Sequence, residues 1–249
     1  MILKDKIEKS AVAKRLRKYA KAKPNAVLDE VIQRIVEDLM DGVVCRPTDL
    51  DAVMRKLNVL GPTPDVELLF PGELRREGKA LRVLYSPNQS DVRLRFTLAH
   101  ELGHAILDKT GPRCPQTGEV VEKICNRIGA EILMPAADLR ARYRSPSIET
   151  LQSIADTYAV SKVAAALRVS DIWRVGVFEV EQGRIMWRSR VSPRFLDGAD
   201  SAFKRGIERA MRGEPGAELI SVSCDSQWTT RRMEWFCVSK KQQALFLVT

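Results

Sequence analysis

Histidine is nearly absent from this sequence: 249 residues hold two. Cysteine is scarce and unpatterned. Cys45, Cys114, Cys125, Cys224 and Cys237 are odd in number and form no C-x-x-C pair. That excludes a disulfide framework and a cysteine-built zinc knuckle, and leaves reduced, mostly buried thiols. No apolar run reaches the roughly 18 residues of a membrane span. The opening "MILKDKIEKS" is charged from its fourth residue and lacks the apolar core of a secretory signal. A cytoplasmic protein with no membrane partner is the expectation. Internal repeats and low-complexity segments are also lacking. What is there, 45% hydrophobic and 29% charged residues, suits a globular chain of one large domain or two modest ones.

Positive charge is in excess and concentrated. The formal net charge is +9, and residues 1–23 hold nine Lys or Arg against Asp5 and Glu8, a balance of +7. Leu3, Ile7, Ala11, Val12, Leu16 and Tyr19 recur there at helical spacing, so the segment reads as one basic amphipathic helix. Its cations form either a solvated face or a contact for nucleic acid or an acidic partner. Any nucleic-acid binding expected of it is weak and non-specific.

Downstream, "PNAVLDEVIQRIVEDLM" reads as a helix capped by Asn25, and "RPTDLDAVMRKLNV" as a short helix capped by Thr48 or Asp49. "VELLF" and "KALRVLYS" read as strands separated by the turn-rich "PGELRREG". A helix over "PNQSDVRLRFTLAHELGHAILD" follows, then a Gly- and Pro-rich loop, "KTGPRCPQTG", and a helix over "EVVEKICNRIGAEILM" stopped by Pro135. "SIETLQSIADTYAVSKVAAALRV" gives two short helices broken near residues 159–161. From Trp173 the texture becomes strand-rich: a hairpin about Gln182-Gly183, a helix over "ADSAFKRGIERAM", then strands over "AELISVSC", "RMEWFCVS" and "ALFLV". The domain plan is N-terminal helices over 1–44, a core over 45–145, a helix pair over 146–172 packed on that core, and a strand-rich domain over 173–249.

Both histidines sit in "RFTLAHELGHAILDK", as His100-Glu101-Leu102-Gly103-His104. Residues i and i+4 share one helix face, so two imidazoles can bind one ion while Glu101 reaches a water on it as general base. Catalytic zinc takes three protein ligands, and with no third histidine the last must be a carboxylate or thiolate. Asp108 is one turn past His104 on the same helix and badly placed to close around the ion. Leu107 and Thr110 stand where a metzincin needs glycine and histidine, which excludes that subclass. On the next helix Glu131 points away from Glu122, at about 100° per residue. Glu122 is the chosen ligand, with Asn126 one turn along to hold a histidine or the carboxylate. Glu119 is the fallback, and Cys125 reads as a core thiol. Gly103 permits close approach of another backbone.

The pairing of "RFTLAHELGHAIL" with "VEKICNRIGAEILMP" resembles the ImmA/IrrE family of bacterial and phage metallopeptidases. In that family an R-F-T-x-A-H-E-x-x-H helix precedes one of the form E-x-x-x-N-x-x-x-A-x-x-L-M-P. The resemblance covers roughly residues 45 to 170, including the short helix at "RPTDLDAVMRKLNV". It implies an α+β fold: a zincin-like, mostly helical metallopeptidase domain with a small sheet, followed here by a small antiparallel α/β domain. It also implies Zn2+ held by His100, His104 and Glu122, with Glu101 as catalytic base. The implied activity is endopeptidase cleavage of a helix-turn-helix transcriptional repressor, relieving repression in a stress or mobile-element response. A regulatory protein that holds a repressor or DNA without cutting is the alternative, and a zinc enzyme acting on a small amide is a third reading. "KALRVLYS" could pair with an extended substrate. Tyr85, Tyr143 and Tyr158 are candidates for stabilising the oxyanion.

Two features stand apart. The helix pair at 151–168 has helix-turn-helix spacing, but its second helix offers only Lys162 and Arg168 to a groove, so packing is favoured over DNA reading. The tail holds all four tryptophans, Trp173, Trp187, Trp228 and Trp235, which read as core. IrrE-like members carry a GAF-like sensor domain at this place.

Overall fold

Ser10 divides the basic N-terminal stretch into two helices, α1 (Leu3–Glu8) and α2 (Ala11–Tyr19), where the sequence pattern suggests one. Its backbone is extended and its hydroxyl accepts from the Ala13 N–H at 3.1 Å, a helix cap inside a continuous apolar periodicity. The computed structural model describes residues 3–111, 118–189, 201–224, 227–239 and 243–249. Cys114 with its loop, and the side chains of Cys224 and Trp228, lie outside the described residues. No described helix is long and apolar enough to cross a membrane. The chain divides into two units, residues 1–140 with 157–160, and residues 141–156 with 161–249.

In the first unit Ile7, Val12 and Leu16 are buried, and so is one cation, Arg17. Arg17 Nε donates to the Ala26 carbonyl at 2.8 Å, and its guanidinium pairs with Glu8. The Glu8 carboxylate also accepts, at 3.3 Å, from Leu28 N, the first residue of α3 (Leu28–Met40). The start of α3 is thus satisfied from a distant helix, with Val27 rather than Asn25 at the N-cap position. Asp49 caps α4 (Leu50–Leu57) by accepting from Ala52 N at 3.0 Å, while the Thr48 hydroxyl donates to the Ile132 carbonyl at 2.9 Å.

Three strands follow: β1 (Val59–Pro64), β2 (Gly72–Glu77) and β3 (Ala80–Tyr85), in the order β1-β3-β2. β1 runs parallel and β2 antiparallel to the central β3. This corrects two expectations. The apolar "VELLF" forms turns, and the polar "GELRRE" is a strand, closed onto β3 by a two-residue turn with Gly78 at φ 62°. Pairing to β3 decided that, against the local pattern. In addition β3 has a neighbour on both sides, so among the described residues the unpaired edges of this sheet belong to β1 and β2. Beyond the sheet come α5 (Asp91–Lys109), α6 (Glu119–Leu133) and α7 (Ala136–Arg142). α5 packs against α4, α6, β2 and β3.

The second unit holds α8 (Ile148–Thr157), α9 (Lys162–Trp173), β4 (Gly176–Glu181), β5 (Arg184–Arg188), α10 (Ser201–Met211), β6 (Gly216–Cys224), β7 (Gln227–Ser239) and β8 (Gln243–Val248). Its five strands form one antiparallel sheet in the order β5-β4-β8-β7-β6. Gln182 and Gly183, both at positive φ, make the tight β4–β5 turn. α10 lays Phe203 and Ala210 on a core of Phe178, Met233, Trp235 and Phe246, with the Phe178 and Phe246 rings stacked at 4.8 Å. α8 and α9 belong with this sheet: α9 packs on β4, and Ile148 N donates to Glu234 at 3.0 Å.

Candidate metal centre

Two glycines set the distance between the helices that build the site. A Cβ on Gly103 of α5 would stand 3.0 Å from the Cys125 Cα of α6, and one on Gly129 of α6 would stand 3.1 Å from the Ala99 carbonyl carbon. Backbone therefore meets backbone on both helices, and a side chain one turn away can span the gap. Glu122 does so. Its Oε2 lies 3.1 Å from His100 Nε2, its Oε1 3.6 Å from His104 Nε2, and the two histidine Nε2 atoms are 3.2 Å apart.

These distances, with each histidine taken to its nearer carboxylate oxygen, can be tested against a metal. Tetrahedral zinc with ligands at about 2.0–2.1 Å keeps its donors about 3.3 Å from one another. The three donor pairs lie on either side of this value. Two imidazoles and one carboxylate also form a ligand set of the catalytic kind, leaving a fourth position for water or substrate. His104 and His100 side chains are 10% and 16% exposed while that of Glu122 is 47% exposed, so the cluster opens to solvent on the carboxylate side. His100 Nδ1 donates to Asn126 Oδ1 at 2.8 Å, which fixes the tautomer with the Nε2 lone pair towards the cluster.

The other acidic candidates are occupied elsewhere. Glu119 forms an i,i+4 ion pair with Lys123 at 2.6 Å. Glu131 accepts from Ala136 N at 2.9 Å, at the start of α7. Asp108 pairs with Arg76 of β2 at 2.6 Å. Cys125 is buried against Gly103. Among the described residues, His100, His104 and Glu122 are the group whose donor atoms converge.

Glu101 lies against β2. It is 6% exposed, and its carboxyl is raised to about 7, chiefly by burial and then by the nearby Glu122 charge, with a hydrogen bond from the Leu74 backbone acting the other way. Gly72 makes room for it: a Cβ there would stand 2.5 Å from Thr97 Cγ2 and 3.1 Å from Glu101 Oε1. Because Ser86 N donates to the Pro71 carbonyl at 3.0 Å, alternation turns the backbone groups of Gly72, Leu74 and Arg76 outward from the sheet. The free edge of β2 therefore runs past Glu101. Gly72 and Gly129 carry no motif of their own and were not singled out by the sequence.

Of the three tyrosines, Tyr85 pairs with Gly72 and shares its sheet face. Tyr158 is fully buried with its hydroxyl on Asp138 at 2.5 Å, and the Tyr143 hydroxyl bonds Ser153 at 3.0 Å. In α9, Lys162 lies over the Phe236 ring at 5.0 Å, and Arg168 is buried.

Residues 69–170 match the model of the Peptidase_M78 family, the IrrE N-terminal-like domain. No curated protein matches the chain. Among solved structures, a Mycobacterium tuberculosis transcriptional regulator is similar in fold, with a TM-score of 0.58 and 14% identity over 95% of this chain and 79% of that one. The matched stretch begins just before the β2 edge and contains both histidines, Glu101 between them and the converging carboxylate of Glu122; over residues 69–170 this chain carries an IrrE N-terminal-like domain.

Proposed function

We propose that this protein is a zinc-dependent endopeptidase whose substrate is a helix-turn-helix transcriptional repressor, with His100, His104 and Glu122 as metal ligands and Glu101 as the general base. The observation that carries the reading is the convergence of two imidazoles and a carboxylate, with nearest donors 3.1–3.6 Å apart, beside a buried carboxylate under an unpaired strand edge. When bound, zinc supplies a Lewis acid for the scissile carbonyl and lowers the pKa of a water towards about 7. Glu101 takes the proton of the attacking water and returns it to the leaving amine, so that water is added across the peptide bond. The outward backbone of β2 receives the substrate as an added strand. Tyr85, at the end of β3 opposite Gly72, is the tyrosine retained as oxyanion donor. The state of α9, with Lys162 over an aromatic ring and Arg168 buried, supports a packing role for the helix pair.

The test is incubation with a helix-turn-helix repressor encoded beside this gene, with and without a chelator. Cleavage that stops on chelation and returns with zinc supports the reading. A second reading, a regulator that binds without cutting, draws on the fold shared with a protein described as a transcriptional regulator. It requires repressor binding that survives Glu101→Gln with no cleavage by the unaltered chain.

A further inference from the structure

The segment between β1 and β2 is apolar and uncovered. Val66, Leu69 and Phe70 are 84%, 92% and 68% exposed. Scattered surface apolar residues are ordinary, but three within five positions form a patch. The segment is also held in place. Asp65 N donates to the Tyr85 carbonyl at 2.8 Å, Glu67 N to Asp65 Oδ1 at 3.0 Å, and the Pro71 carbonyl accepts from both Ser86 N at 3.0 Å and Gln89 Nε2 at 2.7 Å. Bonds at both ends of a short segment keep Leu69 and Phe70 outward.

Its charge differs from that of the chain. Asp65, Glu67 and Glu73 line, with Leu69 and Phe70, a shallow cleft of about 330 Å3. Arg75 is the one cation there and is taken by Glu73 through two bonds of 3.1 and 3.0 Å. A protein of net charge +9 thus presents an acidic, apolar patch at this place. Phe70 is two residues from Gly72, whose Cα passes Glu101. Two residues of extended chain span about 7 Å. The patch is continuous with the strand edge that leads to the base.

We propose that the 65–73 segment is a docking surface for the substrate protein outside the cleavage site, and that its occupant is a cationic amphipathic segment with adjacent apolar side chains flanked by Lys or Arg. This rests on the peptidase reading and adds to it the chemistry that selects the substrate. Leu69 and Phe70 supply apolar area, while Asp65 and Glu67 reject acidic partners.

The experiment uses the full zinc-loaded chain with Glu101→Gln, which holds a peptide without cutting it. Two labelled peptides are compared, one with paired leucines flanked by lysines and its counterpart with glutamates for lysines. The lysine peptide should bind about tenfold more tightly than its counterpart. Adding Leu69→Ser with Phe70→Ser should weaken it about tenfold or more with zinc content unchanged, because both side chains lie outside the core. Asp65→Asn with Glu67→Gln should remove the preference between peptides. Equal binding of both peptides, no binding of either, or no effect of the serine pair overturns the proposal. If the lysine peptide binds as expected but the unaltered chain cleaves no repressor, the docking surface stands and the peptidase reading falls.

Discussion

Asn126 holds His100 by a single side-chain bond, so its loss should be read in the metal rather than in the fold. Asn126→Ala is expected to lower zinc affinity about 10- to 100-fold, measured by competition with a chromogenic chelator. Its exposed position argues for little change in melting temperature. The ligands themselves separate more sharply. His104→Ala and Glu122→Ala should leave less than the roughly one zinc per chain expected of the unaltered protein, whereas Glu119→Ala, which breaks only a surface pair with Lys123, should retain it. Glu101→Gln should keep zinc and lose cleavage, since the amide fills the same space without accepting a proton. Zinc loss in Glu119→Ala but not Glu122→Ala would contradict the convergence of donors at this site.

Between α5 and α6 the close approach depends on the absence of two methyl groups. Gly103→Ala or Gly129→Ala places a Cβ about 3 Å from the facing backbone, which cannot swing aside as a side chain would. Each should cost about 1–3 kcal/mol of stability, and each should also weaken zinc binding, because Glu122 must then reach further. A melt with and without added zinc distinguishes this from simple destabilisation: the zinc-dependent rise in melting temperature shrinks along with the baseline. The N-terminal helices pose a different problem. Removing residues 1–23 to test nucleic-acid binding would also remove Ile7, Leu16 and the Glu8 cap of α3. Lys14→Gln with Lys18→Gln, both exposed and one turn apart on α2, neutralises the face while sparing the core. Weak binding to duplex DNA is expected to fall with salt, show no sequence preference, and decline further in this variant. A sequence-specific footprint retained by it would favour the regulator reading.

At the scale of the molecule, the possible metal site of His100, His104 and Glu122, the buried Glu101 and the β2 edge all lie in residues 1–140, whereas α8 and α9 fall with the five-stranded sheet. A chain ending at residue 172 would therefore cut the second unit and leave α8 and α9 without β4 and Glu234. Such a chain should still bind about one zinc, but it should also bind a hydrophobic dye and elute as aggregate. Zinc loss from its folded fraction would mean that a ligand lies beyond residue 172.

The histidine pair of the possible metal site was legible because it is local. Helical spacing places His100 and His104 on one face whatever surrounds them, and the same arithmetic turns Glu131 away from Glu122. Short-range capping and turn chemistry likewise narrowed the α4 cap to Thr48 or Asp49 and identified the Gln182-Gly183 hairpin and the break before α9. Other features depended on partners far along the chain. Glu8 caps α3 from 20 residues upstream, and "GELRRE" is a strand because β3 pairs with it, while "VELLF", more apolar and more strand-like by itself, pairs with no strand among the described residues. Which edge faces the site, and how closely α5 and α6 approach, followed from packing at Gly72, Gly103 and Gly129. A glycine in sequence states only that a side chain is missing, and the fold alone determines what occupies the space.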